Sequence, residues 1–221
     1  MGYMIEQSLQ NRLRAEGIDR PVVTIITQML VRPDDPAVEN PTKYIGQFYD
    51  EETAERMMSE RGWQMKKDSD RGYRRVVPSP MPYGSVEAAT IARLVESGTI
   101  VIAGGGGGIP VYIDEHGNYE GMDAVIDKDL ASAVIGKEID AGVLSILTSV
   151  DAVSLDFGKP SQKTLGAITL SQARTYLNEG HFPPGSMGPK IQAAIKFIEE
   201  GGKLVTITSF NHARDSVHGE A

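Results

Sequence analysis

The sequence predicts an α/β protein whose mostly parallel sheet carries helices on both faces. Along its 221 residues, apolar runs rich in β-branched residues alternate with amphipathic segments of helical spacing. Such alternation favours parallel strands that are joined by crossover helices. The composition agrees, because glycine is abundant (24 residues) and aromatic residues are sparse (6%), which suits tight turns and close backbone approaches.

The first two elements follow from apolar spacing. Ile5, Leu9 and Leu13 recur at i, i+4 and i+8, which predicts a helix over residues 3–16. Residues 21–31 form a nearly continuous apolar run and predict one strand that is buried on both faces.

Residues 32–82 differ from the rest of the chain. They contain many prolines and charges, together with one short helical segment at 51–61. A long disordered loop is one interpretation. Tyr44, Phe48 and Trp63 favour packing instead, so we predict a small protruding subdomain.

The middle of the chain returns to the main alternation. Ser85 is the predicted cap of a helix that ends near residue 97, and residues 99–103 form a short strand. After the glycines at 104–108, residues 111–120 predict a hairpin around His116 and its neighbours.

The second half predicts three helices and two strands. A helix starts at Asp127, another starts at Ser171 and ends near 177, and an amphipathic one spans 190–200. Residues 142–147 and 203–208 are the predicted strands.

Charge and cysteine content exclude several classes of function. A net charge of -8 argues against general binding of nucleic acid or membrane surfaces, which requires excess lysine and arginine. Without cysteine there is no disulfide, thiolate metal site or cysteine nucleophile. The four scattered histidines have no metal-ligand spacing, so no metal site is predicted and all four are interpreted as surface or loop residues. No targeting segment or long apolar run is visible, so we expect a cytoplasmic protein.

The run of five glycines at 104–108 follows a predicted strand directly, which indicates a close backbone approach. It does not match the dinucleotide fingerprint, because Ile109 or Pro110 stands where the third glycine is required. No P-loop motif is present either. Backbone N–H groups at the carboxyl edge of a sheet can nevertheless bind a ligand, because no side chain covers them in a glycine run.

Residues 127–129 (Asp-Lys-Asp) combine a helix start with charge. Asp127 can cap the helix and Asp129 falls in its first turn, so Lys128 would be held between two carboxylates near backbone N–H groups that attract anions. A phosphate-handling lysine is one interpretation. Taken alone, these residues favour the other, in which two aspartates cap a helix and the lysine is solvated.

Five motifs occur together and in order, and they decide between these interpretations. They are NPTK at 40–43, RGxRxVVPSP at 71–80, GGGGIP at 105–110, VIDKD at 125–129 and GHFxPGSMxPK at 180–190. In this combination the sequence resembles the carbamate kinases of the amino-acid-kinase superfamily over essentially its whole length.

The resemblance implies a three-layer α/β/α sandwich. Residues 1–126 would form a partial N-terminal substrate lobe, which includes the protruding subdomain at about 32–82, and residues 127–221 would form a C-terminal nucleotide-binding lobe. The implied activity is reversible phosphoryl transfer between ATP and carbamate, with Mg2+ accompanying ATP or ADP. Carbamoyl phosphate would be the other reactant, and a homodimer is expected.

The resemblance also implies site residues. Lys128 and Lys190 would contact the phosphates, Asp129 would orient the lysines, and Lys43 would reach over the substrate. The residues expected around the nucleotide are Asp127, Ser149, Val150, Asp151, Phe157, Gly158, Lys159 and Met187. Gly106, Gly107 and Gly108 would line the substrate side.

Some family segments have no counterpart in the sequence. The first strand with its Gly-Gly-Asn loop, a His-Gly-Asn-Gly-Pro segment and the closing strand are missing. We therefore expect a fragment whose activity is impaired. The alternatives are a paralogous or non-catalytic nucleotide-binding member, or a kinase of another carboxylate such as glutamate or acetylglutamate.

Overall fold

A computed structural model describes residues 2–218 of the chain, without the side chains of Ser69, Val217 and His218. The helices are α1 (Gly2–Ala15), α2 (Pro36–Glu39), α3 (Glu51–Arg61), α4 (Ala88–Glu96), α5 (Lys128–Glu138), α6 (Leu170–Asn178), α7 (Met187–Glu199) and α8 (Ala213–His218). The strands are β1 (Val22–Thr24), β2 (Gln28–Leu30), β3 (Lys43–Tyr49), β4 (Met65–Lys67), β5 (Tyr73–Val77), β6 (Gly84–Ser85), β7 (Ile100–Ile102), β8 (Ile109–Ile113), β9 (Tyr119–Gly121), β10 (Val143–Thr148), β11 (Ser154–Leu155), β12 (Lys163–Thr164) and β13 (Leu204–Ser209).

The strands form several small sheets rather than one continuous ladder. β1 pairs with β7, β2 with β8 and β10 with β13, all in parallel. Antiparallel pairing adds β6 and β9 to the β2–β8 pair, so that this sheet has the order β6-β2-β8-β9. The α/β fold class predicted from the sequence is confirmed, with mixed sheets in which crossover connections supply the parallel pairs.

The predicted single strand over residues 21–31 is wrong, because the chain changes sheets within it. Its first part pairs with β7 and its second part with β8. Between them, Ile26 is 76% exposed and the Thr27 hydroxyl donates to the Ile25 carbonyl. The same hydroxyl accepts the N–H of Gly104. An apolar pattern alone does not show this break, because it depends on a partner far along the chain.

Two helix starts also differ from the prediction. Ser85 lies in β6, and the residue at the cap position of α4 is Glu87, whose side chain makes no capping hydrogen bond. The N–H of Ser85 donates to the Glu138 carboxylate at 3.0 Å. The cap of α6 is Thr169 rather than Ser171, because Thr169 and Gln172 form a reciprocal capping box. A serine or threonine near the start of a helical pattern is therefore not enough to place the cap, which depends on where the backbone begins to turn.

The subdomain predicted at 32–82 contains a three-stranded sheet of the order β3-β5-β4, with α3 between β3 and β4 in the chain. Arginines lie over its aromatic rings, Arg71 at 4.4 Å from the centre of Phe48 and Arg75 at 4.9 Å from that of Trp63. Such cation–π contacts help to hold the aromatic side chains of this small sheet in place. The division of the chain into two lobes stays a prediction.

Helix α5 is packed on two sides, which fixes where its N-terminus lies. On one side Ala131 and Val134 contact Met29 and Val31 of the β2 region. A neighbouring side packs against Phe197 of α7 and against β10 through a second apolar cluster. The site described below is built on the N-terminal ends of α5 and α7.

Candidate active site

A pocket of about 370 Å³ opens where the N-termini of α5 and α7 meet the end of β10. Its walls combine charged groups from the helix starts with small and apolar residues from loops. The lining residues are Lys43, Asp127, Lys128, Asp129, Thr148, Ser149, Val150, Ala152, Ser154, Phe157, Pro183, Gly185, Ser186, Met187, Pro189 and Lys190.

Asp127 starts helix α5 as the sequence predicts. Its Oδ1 accepts the backbone N–H of Asp129 at 2.9 Å and that of Leu130 at 3.4 Å. The side chain is buried, with 7% of the residue exposed. Because Asp127 occupies these two donors, they are not available to an external anion, and the positive groups at this helix start are mainly lysines.

Two ion pairs join distant parts of the chain at this point. The Lys43 ammonium lies 2.7 Å from Asp127 Oδ2, and the Lys190 ammonium lies 2.8 Å from Asp129 Oδ2. The second pair is the more buried, since only 12% of the Lys190 side chain and 10% of the Asp129 side chain are exposed. The first pair ties the subdomain strand β3 to the start of α5.

Lys128 is not held between the two carboxylates, so that prediction is wrong. Within the described residues no hydrogen bond or ion pair engages its ammonium, because each aspartate takes a lysine from another element. Lys128 is exposed and faces the pocket. The lining holds three lysines and two aspartates, so this part of the pocket has one positive charge in excess. Among the described residues, Lys128 is the lysine of this group that has no acidic partner.

The Asp127 carboxyl is held in its charged form. Burial raises its pKa, but the hydrogen bond and charge of Lys43, with the N–H groups of Asp129 and Leu130, outweigh burial and leave the pKa below its ordinary value. Asp127 is therefore a fixed negative charge at neutral pH rather than a proton acceptor.

Helix α7 begins at the pocket, three residues before the predicted start, and has no side-chain cap. Ser186 stands at the cap position, yet its hydroxyl makes no capping hydrogen bond. The N–H of Gly188 donates to Pro183 at 2.9 Å, which ties the preceding loop to the first turn. An uncapped helix start that faces a pocket is suited to an anion, and Lys190 adds a full positive charge beside it.

Nine of the predicted site residues line the pocket. They are Lys43, Asp127, Lys128, Asp129, Ser149, Val150, Phe157, Met187 and Lys190. Asp151, Gly158 and Lys159 lie outside its lining. The ammonium of Lys159 instead contacts Asp156 at 3.0 Å, and the backbone carbonyl of Asp151 accepts the Thr208 hydroxyl at 2.8 Å. The roles assigned to all of these residues stay predictions.

The predicted glycine loop also lies outside the pocket lining, and its glycines have a packing role that the sequence does not reveal. A side chain on Gly107 would collide with the Ile126 carbonyl, and one on Gly108 would collide with Met29. Gly106 faces open space. The loop therefore packs against the residue that precedes Asp127 and supports the start of α5 from behind.

The pocket also includes residues that sequence reasoning missed. Gly185, Ser186 and Pro189 belong to the motif at 180–190, so their position was available as a signal. Thr148, Ala152 and Ser154 carry no motif and are brought to the pocket by the β10 and β11 segments. Pro183 reaches it through the bend of the loop before α7.

No group of three or more histidine, aspartate or glutamate side chains within residues 2–218 is arranged to hold a metal ion. In the same part of the chain, no helix is long and apolar enough to cross a bilayer.

The fold and the charged pocket define a class of protein that comparison with known sequences identifies. A sequence model of the amino acid kinase family matches residues 35–209. Carbamate kinase of Thermococcus kodakarensis is 50% identical over 220 residues, which cover all of this chain and 70% of the relative. Carbamate kinase of Staphylococcus haemolyticus is 48% identical, with all of this chain and 71% of the relative covered.

Comparison with solved structures points to the same family. Carbamate kinase from Giardia lamblia bound to AMP-PNP has a TM-score of 0.89 at 41% identity, over all of this chain and 70% of that one. A protein from Aeropyrum pernix has a TM-score of 0.93 at 41% identity and the same coverage. The chain belongs to the amino acid kinase family and, within it, to the carbamate kinases.

Proposed function

We propose that this chain transfers a phosphoryl group reversibly between ATP and carbamate, and forms ATP from ADP and carbamoyl phosphate in the reverse direction. The observation that carries the proposal is the arrangement of Lys43, Lys128 and Lys190 around one pocket, with two of them held by buried aspartates. Relatives that are 46–52% identical are carbamate kinases.

The lysines supply what phosphoryl transfer requires. Its transition state spreads negative charge over the oxygens of the moving group, so catalysis depends on positioned cations and N–H donors. The Lys128 ammonium has no partner among the described residues and is proposed to contact the transferring group directly. Lys43 and Lys190 are proposed to approach it from either side, each already placed by its ion pair.

The aspartates are proposed to position rather than to exchange protons. Asp127 caps α5 and holds Lys43, and Asp129 holds Lys190. Such pairs fix an ammonium in space before substrate arrives, which lowers the reorganisation needed in the transition state.

The nucleotide is proposed to lie along the wall formed by Ser149, Val150, Phe157 and Met187, with its phosphates at the uncapped start of α7. These residues line one continuous pocket with the lysines. The Giardia lamblia carbamate kinase, whose fold matches over all of this chain, is bound to the ATP analogue AMP-PNP. Asp151, Gly158 and Lys159 lie outside the pocket lining, so they are proposed to support this wall rather than to contact the nucleotide.

Magnesium is proposed to arrive with the nucleotide as MgATP or MgADP. The carboxylates of the pocket lining, Asp127 and Asp129, are both engaged by lysines, so this lining offers no cage made of protein ligands alone. Mg2+ commonly keeps several waters and is held by substrate phosphates with few protein ligands.

Two further expectations belong to the same proposal. Residues 1–126 are proposed as a substrate lobe and residues 127–221 as a nucleotide lobe, and the protein is proposed to form homodimers. Light scattering on the purified chain tests the second expectation, because a single species with the monomer mass contradicts it.

The test of function is ADP phosphorylation by carbamoyl phosphate in the presence of Mg2+. Lys128→Ala should lower kcat by about 100-fold or more, as removal of one transition-state donor commonly does. Lys137→Ala is the matched control, because Lys137 is an exposed lysine on the same helix and lies outside the pocket lining. Equal activity of both variants would overturn the assigned role of Lys128.

A second experiment uses the difference in length between this chain and the related carbamate kinases. The chain spans 70% of the Thermococcus kodakarensis carbamate kinase, so a chimera joins it to that relative's remaining segments. Turnover by the chain or by the chimera supports the proposal. MgADP binding without turnover in either protein overturns it in favour of a nucleotide-binding member without catalysis.

A further inference from the structure

Asp156 adopts an unusual backbone conformation next to the pocket. Its φ of 50° lies in the left-handed region, which a residue other than glycine occupies only at a cost. Its carboxylate accepts a hydrogen bond from Ser161 at 3.1 Å and contacts the Lys159 ammonium at 3.0 Å. A ring nitrogen of His181 lies 3.3 Å from the same carboxylate.

These contacts close residues 156–162 into a tight turn. The N–H of Lys159 donates to the Asp156 carbonyl at 3.0 Å, and the N–H of Gly158 donates to the Gln162 side chain at 2.8 Å. Phe157 is carried at the edge of this turn, where it lines the pocket while 62% of it stays exposed. The position of the Phe157 ring therefore depends on how the turn is held.

His181 lies just before the loop that forms another wall of the pocket. It follows α6, and the residues just after it include Pro183 and Ser186, which line the pocket at the start of α7. Its neighbour Phe182 is buried, with 4% exposed, in the apolar cluster with Ile191. The contact between Asp156 and His181 thus joins the wall that carries Phe157 to the wall that leads into α7.

The surroundings of His181 indicate which way its hydrogen bonds run. Nδ1 faces the Asp156 carboxylate at 3.3 Å, and Nε2 faces the Glu179 carboxylate at 3.3 Å. The rings of Tyr176 and His181 are nearly perpendicular, with 5.8 Å between their centres. Both carboxylates are acceptors when ionised, so the imidazole must donate from Nδ1 to keep the contact with Asp156.

We propose that Asp156 and His181 form a positioning pair that holds the two walls of the nucleotide pocket together and sets its affinity for the nucleotide. The pair rests on the proposed function, because the pocket is taken to bind ADP and ATP. Neither residue lines the pocket, so the pair acts through Phe157 and the start of α7 rather than by contact with reacting atoms.

The charge state of Asp156 agrees with this role. The hydrogen bond from Lys159, followed by those from His181 and Ser161, holds the pKa of the Asp156 carboxyl below its ordinary value. The carboxylate is therefore ionised at neutral pH and available as an acceptor.

Three substitutions at position 181 separate the two contacts of the ring. His181→Asn retains a donor near Nδ1 and therefore the contact with Asp156. His181→Gln places its donor towards Glu179, and His181→Phe has no donor. We expect the KM for MgADP to rise about tenfold in the Gln and Phe variants, stay near wild type in the Asn variant, and kcat to change by less than about twofold.

His116→Phe is the matched control, because His116 is exposed in the turn between β8 and β9 and does not line the pocket. Asp156→Gly tests the partner, since glycine removes the acceptor and adopts the left-handed conformation without strain. Adding His181→Phe to Asp156→Gly should raise KM no further. Equal KM values for all three position-181 variants, or a fall in kcat alone, would overturn the proposal.

A second measurement does not depend on catalysis. Amide hydrogen exchange of the ligand-free protein should be at least about tenfold faster at Gly158 and Lys159 in His181→Phe than in wild type or His181→Asn. Unchanged exchange overturns the positioning pair even if the enzyme is active. Faster exchange in a protein that does not phosphorylate ADP leaves the pair intact and locates the failure in the proposed function.

Discussion

The ammonium of Lys190 lies 2.8 Å from the carboxylate of Asp129, although 61 residues separate them in the chain. Lys190 stands in the first turn of α7 and Asp129 in the first turn of α5, and both side chains are nearly buried. The pair connects the two helix starts on which the pocket is built. Its loss should therefore affect both stability and catalysis.

Lys190→Met leaves the Asp129 carboxylate buried without its cation. We expect the free energy of unfolding to fall by about 3 kcal/mol, because breaking a buried pair leaves an uncompensated charge. Urea denaturation followed by circular dichroism measures it. Lys196→Met on the same helix removes the more exposed pair with Glu200 and should cost less than about 1 kcal/mol. Similar losses for both variants would show that burial does not strengthen the Lys190 pair.

We expect the contribution of Asp127 to the stability of the protein to be lost at acid pH. Its folded pKa is below the ordinary value of 3.8, so its contribution is fully present above that value and is lost as the pH falls through the folded pKa. Lys43→Met removes the strongest of the groups that lower this pKa, and the loss of stability below about pH 4 should become shallower. Urea unfolding at a series of pH values from about 5 to 3 tests it. A slope unchanged by the substitution would contradict the assignment.

For Glu138 we expect the opposite dependence of stability on pH. Burial raises the pKa of its carboxyl above the ordinary value of 4.5, although the Ser85 N–H partly offsets this. The charged form is disfavoured in the folded state, so Glu138 should add stability as the pH falls through its folded pKa. Glu138→Gln retains an acceptor for Ser85 and should change the free energy of unfolding at pH 7 by less than about 1 kcal/mol. A loss well above that would show that the carboxylate charge itself holds β6.

Gly107 and Gly106 form a matched pair of substitutions. In Gly107→Ala the new methyl group meets the Ile126 carbonyl, and φ is 138°, so we expect a loss of about 1–3 kcal/mol of stability. Gly106→Ala meets open space and should change stability by less than about 0.5 kcal/mol. Thermal unfolding of both proteins checks the difference. Equal effects would mean that the loop does not pack against the α5 start as described.

Local signals were sufficient for several elements. The cap at Asp127, the helix α3 and the hairpin of β8 and β9 depend on residues within a few positions of one another, so the sequence predicts them. The strand over residues 21–31 was predicted wrongly because Thr27 is bound by Gly104, 77 residues away. No periodicity within the strand itself carries that information.

In the candidate site, too, some features follow from the local sequence and others depend on contacts between distant parts of the chain. The sequence alone determined that Asp127 begins a helix and that a lysine and a second aspartate follow it. Its motifs also indicated that Lys43 and Lys190 belong to the same site. Only the tertiary structure decided that Asp127 pairs with Lys43 and Asp129 with Lys190, and that Lys128 has no partner within the part of the chain that is described. The reason is physical: a helix cap closes over two or three residues, whereas an ion pair forms between whichever side chains the packing of α5, α7 and β3 brings within 3 Å.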